Sequence, residues 1–495
     1  MNKSIATPHT STKNMLSSLS SFYSNHKEGL EIAFIALLCI QFVTDFIDTT
    51  FLLHFFIKLG VIYDLFLAIV AFSFTLIALS NVLFTIMFDI NVSKIDKYVS
   101  LLLLVVAIIF SLTSKDYDSS EITDFLFCTA ACIGRSYKKT FRALLFSGIT
   151  VFTITVLASQ AGLISDLIYS PARHSLGIVY CTDCAAHVLY LLMAFLIYKK
   201  FKLSPDVLMI LIFSFEICYF INMAKTVAIC IIIALIGISI EKIWLNKYKK
   251  SFLSHFKKFM LVVFPLAYIL FCLFTVMYSL FPNHFPDGTL TARFSITADA
   301  FAKFSISFSG KQIKQSGNGG TGGSAVDASS DTNILFNYEK NGFLHFTFSL
   351  FFLIFAISAV VAFTKKYHKL GYTFALIDII LLATPGIVNL LTSRNIINPE
   401  NTGIEDYFWL DCSFIRIILC NGILIFISIT CLSLYIQYKA YKSGNYLFMF
   451  IMCIIALDCT LEHHLSDLSY NFIFLIALTD YFKTHEVSAH SLKGY

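Results

Sequence analysis

Residues 101–110 read Leu101-Leu102-Leu103-Leu104-Val105-Val106-Ala107-Ile108-Ile109-Phe110, an apolar run without a charged or hydrogen-bonding side chain. Tyr98, Val99 and Ser100 extend it on one side and Ser111, Leu112 and Thr113 on the other, to a helix-length segment over 98–113. Lys94 and Lys97 stand just before it, and Lys115 stands alone just after it. Such a run is either a buried core helix or a membrane span, and one run does not choose between them. The rest of the chain does.

Similar runs follow one another from Leu30 to Tyr481. Of 495 residues, 57% are apolar and 14% charged, against about 45–50% and about 25% in soluble domains. A soluble chain of this length divides into domains with polar surfaces and has no interior for so many apolar segments. The fold class is therefore an all-α polytopic membrane protein. A crossing takes about 20 mostly apolar residues. The spans then fall at roughly 30–48, 64–88, 98–113, 121–134, 143–164, 183–198, 206–222, 225–245, 259–281, 343–364, 372–392, 413–437, 446–461 and 470–482. That is about 14 transmembrane helices (12–14), of which 121–134 and 446–461 are short enough to tilt or re-enter.

The charges assign the sides. The net charge of +5 says little by itself, and no nucleic-acid partner is expected. With the N-terminus inside, alternate loops carry Lys94/Lys97, Arg135/Lys138/Lys139/Arg142, Lys199/Lys200/Lys202, Lys247/Lys249/Lys250/Lys257/Lys258, Lys365/Lys366/Lys369 and Lys439/Lys442. The opposite loops carry mostly isolated cations, Lys58, Lys115, Arg173, Lys225 and Arg394. Positive charge gathers on cytoplasmic loops, so both termini are expected in the cytoplasm of a multi-pass protein of the cytoplasmic membrane. Residues 1–29 form a polar cytoplasmic tail, expected to be retained and mobile, 30–482 the membrane domain and 483–495 a cytoplasmic tail. The large extracellular loops run over about 163–182, 282–342, 393–412 and 462–469. Irregular backbone is excluded from lipid, so these loops cover the bundle or line a wet cavity within it.

Two motifs carry little. Gly317-Asn318-Gly319-Gly320-Thr321-Gly322 matches a dinucleotide fingerprint in letters, but lacks the preceding strand and following helix and reads as a linker. Cys181-Thr182-Asp183-Cys184 matches a redox motif without its fold context. The thirteen cysteines lie mostly inside apolar runs, as small buried hydrophobes do.

Three stretches carry chemistry, all on the outer side. Arg173-His174-Ser175-Leu176-Gly177-Ile178-Val179-Tyr180 leads into a span through Thr182-Asp183, with His187 one helical turn beyond Asp183. This is either a cap with a satisfied histidine or an acid/base pair beneath an arginine. Glu462-His463-His464-Leu465-Ser466-Asp467-Leu468-Ser469-Tyr470-Asn471 packs acids, imidazoles and a phenol into one turn. Its Glu462, His463 and His464 are competent metal ligands, but adjacent histidines on a helix point different ways, so no metal is expected. Leu290-Thr291-Ala292-Arg293-Phe294, running on to Ile306 and then Ser309-Gly310-Lys311-Gln312-Ile313, resembles an interfacial helix. Arg173 and Arg293 are either solvated or a guanidinium clamp for a diphosphate. Arg416, one turn into a span, is a further cation, which Asp411 or Asp467 would neutralise.

Taken in order, the Arg-x-Ser-Leu-Gly-Ile loop, Thr-Asp-x-Ala-x-His, the Arg-Phe helix, Ser-Gly-Lys-Gln-Ile, Leu410-Asp411-Cys412-Ser413-Phe414, Asn421-Gly422-Ile423 and Glu-His-His-Leu…Tyr-Asn form a series. This series resembles the Wzy-type polymerases of exopolysaccharide, capsule and O-antigen assembly, over most of the chain. Two departures stand out. Residues from about 331 to 395 add two spans, and the family's Asp-x-Ser-Tyr tyrosine is Phe414 here.

The resemblance implies a GT-C-like bundle that polymerises polyprenyl-diphosphate-linked oligosaccharide units on the outer face, with no cofactor. It implies Asp183, His187, Glu462 and His463 as base or acceptor-positioning candidates, and Arg173, Arg293 and Arg416 for the diphosphate. Tyr470 and Asn471 would position the acceptor. The lipid bilayer and other assembly proteins, a flippase and a chain-length regulator, are the implied partners. The rival readings are a flippase for the same lipid-linked units and a glycan ligase. Eight prolines and the absence of two similar halves speak against a carrier.

Overall fold

A computed structural model describes residues 9–114, 119–169, 173–244, 257–286, 288–311, 313, 326–327 and 410–483. The helices are α1 (His9–Asp48), α2 (Leu53–Ile57), α3 (Val61–Phe88), α4 (Lys94–Thr113), α5 (Ser119–Ala131), α6 (Tyr137–Gln160), α7 (Cys181–Tyr198), α8 (Pro205–Glu216) and α9 (Lys225–Trp244). They continue with α10 (Val263–Leu280), α11 (Thr289–Lys303), α12 (Ser413–Arg416), α13 (Gly422–Lys442) and α14 (Tyr446–Cys459). Among the described residues seven helices are long and apolar enough to cross a membrane, with α9 and α14 as shorter apolar helices. The chain is thus a membrane-embedded helical bundle. The spans expected at 343–364 and 372–392, the Gly317–Gly322 linker and the loop at 393–409 lie outside the described residues.

Outward-facing Leu, Ile, Phe and Val cover the long helices, as lipid contact requires: Val61, Ile62, Phe72 and Leu112 are each at least 70% exposed. The interior is built from aromatic and aliphatic side chains such as Phe34, Phe42, Phe46, Phe125, Phe448 and Phe474.

The lysine-bearing turns meet at one end of the bundle. Lys27 pairs with Asp89 at 2.6 Å, Lys139 with Glu31 at 3.0 Å, and Lys439 with Asp96 at 2.7 Å. Ser93 caps α4, accepting from Asp96 N–H at 3.0 Å, and Asp96 also accepts from the Tyr435 hydroxyl at 2.6 Å. Of the segment before residue 30, residues 9–29 are helical: α1 begins at His9 and runs unbroken into the span. Tyr23 stacks on Phe84, and Lys27 holds Asp89, so the polar extension has partners on α3 and the turn after it.

Two short pieces fill the centre. α5 has only 13 residues, and its terminal carbonyls are answered by side chains, Ser100 Oγ donating to Ala130 O at 2.9 Å and Asn81 Nδ2 to Ala131 O at 2.6 Å. That is how a helix stops where no water can satisfy it. The stretch expected as the last span is instead a 3-10 helix, Phe472–Leu478, with every residue buried. Gly134 N–H donates to Leu478 O, Tyr137 N–H to Asp480 Oδ1, and Lys439 Nζ to Ala477 O, which ties this segment to the lysine-bearing end.

At the other end the backbone is less regular. A small antiparallel sheet orders β2 (Arg173–His174), β1 (Leu167–Tyr169) and β3 (Val326–Asp327). α8 ends in a π-helical turn, Ile217–Ile221, and α12 joins α13 through another, Ile417–Asn421. Into this second break fits the segment after α11. Ile423 and Leu424 N–H donate to Ser307 O and Phe308 O at 3.0 and 3.2 Å, and Lys311 N–H donates to Cys420 O at 3.0 Å. Gly310 and Gly422, both with left-handed φ (+88° and +87°), face each other where any Cβ would collide with the opposing backbone.

Candidate functional site

The site is built on the turn after α14. Within the bundle a turn must satisfy its own backbone, and this one does so with short polar side chains. Ser413, at the start of α12, donates from its N–H and its hydroxyl to Glu462 O at 3.2 and 2.6 Å. Its oxygen accepts from Leu465 N–H at 3.2 Å. Asn471 Nδ2 donates to Leu465 O at 2.8 Å, and Asp467 accepts from Ser469 N–H and hydroxyl at 2.8 and 2.6 Å. Two segments distant in sequence, the start of α12 and the turn after α14, are thereby fixed together.

The charged groups converge on this turn. Arg293 of α11 does not lie on the surface: its Nη2 donates to Glu462 Oε1 at 3.0 Å, and its Nε is 3.4 Å from Asp411 Oδ2. All three side chains are about nine-tenths buried or more. Arg416 adds a second guanidinium, an electrostatic neighbour of Asp411, Asp183 and both histidines. Asp183, in the first turn of α7, has Oδ1 3.6 Å from His464 Nε2. Asp458, one turn before Glu462, accepts from the Tyr190 hydroxyl at 3.2 Å.

Burial sets the protonation here. It raises the Glu462 carboxyl to about 8 even against Arg293, with Asp411, Asp458 and Asp183 adding to the rise. Burial likewise raises Asp411, opposed by Arg293 and Arg416. Burial, with Arg416 adding to it, lowers His464 to about 3, and burial with His464, Arg416 and Arg293 holds His463 well below the usual imidazole range. Near neutral pH both imidazoles are uncharged, and a proton is shared among the carboxylates facing Arg293.

A ladder of rings crosses the site. Phe46, His187, Tyr470, His464 and His463 follow one another with centroids 3.9, 4.0, 4.0 and 4.3 Å apart. His187 Nε2 bonds the Thr49 hydroxyl at 2.9 Å.

Of the residues singled out in the sequence, the fold brings together Asp183, Glu462, His463, Arg293 and Arg416. His187 and Tyr470 lie beside them in the ladder, and Asn471 holds the turn. Asp183 faces His464 across the chain and not His187 one turn along. Arg173 is engaged elsewhere, its Nε donating to Asn222 O at 3.2 Å and its guanidinium lying over Tyr180. Four further residues enter: His464, weighed above only as a metal ligand, Asp411, weighed only as a partner for Arg416, and Ser413 and Asp458, which were given no role. The first three belong to motifs already noticed, whereas Asp458 is a lone acid in an apolar run, itself a signal. Because 460–465 is a turn and not a helix, both histidines reach Asp183. Asp183, His463 and His464, and likewise Asp411, Glu462 and His463, each offer ligand atoms within 4.8 Å of one another.

No family model matches the chain, and no curated protein or solved structure matches it.

Proposed function

We propose that the chain is a membrane glycosyltransferase that polymerises polyprenyl-diphosphate-linked oligosaccharide repeat units. In this reading it is a GT-C-like bundle of the cytoplasmic membrane, with both termini and the lysine-bearing end in the cytoplasm and the site open to the outer face. One observation carries it: two arginines and several carboxylates, half-buried Arg293, Arg416 and Asp183 with buried Asp411 and Glu462, gather at the end of an apolar bundle opposite the lysines.

Guanidinium forks match phosphate oxygens, and a leaving diphosphate needs cations to take up its charge. The acceptor hydroxyl needs a base. In the resting cluster Glu462 and Asp411 occupy Arg293. An entering diphosphate competes for that guanidinium and releases Glu462, whose ionised form takes the proton of the acceptor hydroxyl. The acceptor oxygen bonds to the anomeric carbon, the bond from that carbon to the diphosphate oxygen breaks, and polyprenyl diphosphate leaves with the electron pair. A nucleotide sugar is not required. Arg173, held by Asn222 and Tyr180, lies at the approach to Asp183 and is assigned a lesser part.

In a deletion strain complemented with Arg293→Ala, long polysaccharide is expected to be lost, with single repeat units accumulating on the carrier on the outer leaflet. Loss of rate by 10²-fold or more is the scale for removing one such charge stabiliser. Long chains at the wild-type level would rule the assignment out. Units trapped on the inner leaflet in the deletion strain would point to a flippase, and polymer left unattached to its final carrier to a ligase.

A further inference from the structure

We infer that Asp183, His463 and His464 form a binding site for a divalent, imidazole-preferring cation such as Zn²⁺. Metal binding does not depend on the glycosyl-transfer reading and is measured without any sugar substrate.

The first observation is an orphan. His464 is wholly buried, and neither of its ring nitrogens has a hydrogen-bond partner. A buried imidazole carries a donor and an acceptor, and leaving both unmet is costly enough that an ion or water is the ordinary explanation. Asp183 Oδ1 is also buried without a hydrogen-bond partner, and the His464 nitrogen faces it.

The second observation is spacing. The 3.6 Å between His464 Nε2 and Asp183 Oδ1 is too long for a hydrogen bond. Ligand atoms about 2.0–2.2 Å from a tetrahedral zinc stand about 3.3 Å apart, so these two atoms need close by only a few tenths of an ångström. His463 completes the set within 4.8 Å. Two imidazoles and one carboxylate suit a borderline first-row cation and leave a position open, whereas magnesium and calcium prefer oxygen.

The third is charge. Asp183, Asp411, Asp458, Glu462 and Asp467 lie in one electrostatic neighbourhood with Arg293 and Arg416, acids outnumbering guanidiniums. Arg293 is already engaged by Glu462 and Asp411. A dication beside Asp183 offsets the excess, and its open position would accept an oxygen of an anionic ligand. The second ligand set, Asp411, Glu462 and His463, shares His463 but contains the Arg293 partners, so the Asp183 set is the one assigned.

The test uses the full-length, tag-free protein in detergent, stripped with chelator, titrated with Zn²⁺ and assayed for bound metal by mass spectrometry. About one equivalent is expected to remain after gel filtration, with affinity falling at least tenfold in both Asp183→Asn and His464→Gln. His174→Gln, which removes a histidine outside the set, should keep it. If either variant is not monodisperse, the wild type decides alone: Co²⁺ should give a visible spectrum of tetrahedral nitrogen and oxygen ligation, removed by one equivalent of Zn²⁺. Wild-type protein that retains no Zn²⁺, variants that bind as wild type does, or a Co²⁺ spectrum of six-coordinate aquo character would each overturn the assignment.

Discussion

His174 and Asp166 face each other at 2.7 Å between their Nδ1 and Oδ2 atoms, at the non-lysine end of the bundle. Asp166 Oδ1 also accepts from Leu176 N–H at 2.8 Å, which fixes the carboxylate against the loop that leads into α7. Burial alone would lower the imidazole, but the charge and hydrogen bond of Asp166 override it, and the pKa of His174 is raised. The folded state therefore holds this proton more tightly than the unfolded chain, whose value is about 6.5. The stabilisation is complete below that value and fades as pH rises through the higher folded value. Thermal unfolding in detergent should fall across that range for wild type and flatten in His174→Gln; parallel curves would show that the pair contributes no proton linkage. At this scale the sequence was partly legible. Glu462, His463 and Arg293 stand out as charges beside apolar runs. The pairing of Asp183 with His464 was not legible, because helical spacing offered His187 and only the tertiary turn supplies the other partner.

At the scale of elements, apolar length marks most of the helices to within a few residues, as 225–245 against Lys225–Trp244 shows. What apolar length cannot mark is a change of hydrogen-bond pattern. The π-helical turns Ile217–Ile221 and Ile417–Asn421 are as apolar as their surroundings, and the 3-10 segment Phe472–Leu478 has the composition of a span. Its identity follows from Lys439, Gly134 and Tyr137, which bind its end from other elements. The contact between Gly310 and Gly422 has a consequence for mutation. A methyl group at Gly310 meets the Cys420 carbonyl and carbon, which are backbone and cannot rotate away. Gly310→Ala is expected to lose several kcal/mol through the clash and the left-handed backbone together, of order 1–3 kcal/mol for the conformation alone. Its readout is a lower unfolding temperature and reduced protein in membranes; Gly288→Ala, with no atoms near its added carbon, should match wild type.

For the whole molecule, charge asymmetry was the feature most fully legible. Lysines and their acids tie one end, Lys27 to Asp89 and Lys439 to Asp96, while the buried arginine cluster occupies the other. The proposed orientation gives a direct expectation. Ala161→Cys, exposed at the end of α6, should react with a membrane-impermeant thiol reagent on intact cells above the wild-type background. Lys202→Cys, exposed beyond α7, should react only after the membrane is opened. The reverse pattern would turn the molecule over and place the arginine cluster in the cytoplasm.

The buried 3-10 segment bears on how the protein is made. Ribosomes deliver the chain from its N-terminus, so the earlier helices emerge before residues 472–478. Until then the seats for Phe472 and Phe474 against Phe42, Phe141, Phe125 and Phe264 are empty, and Gly134 N–H and the Lys439 ammonium lack their carbonyls. Without that strip the newborn bundle is a shell, and the strip is its keystone. The same strip carries Glu462 to Tyr470 at its leading edge, so the arginine cluster closes only once this strip is in place, and a chain cut short before it holds no assembled site.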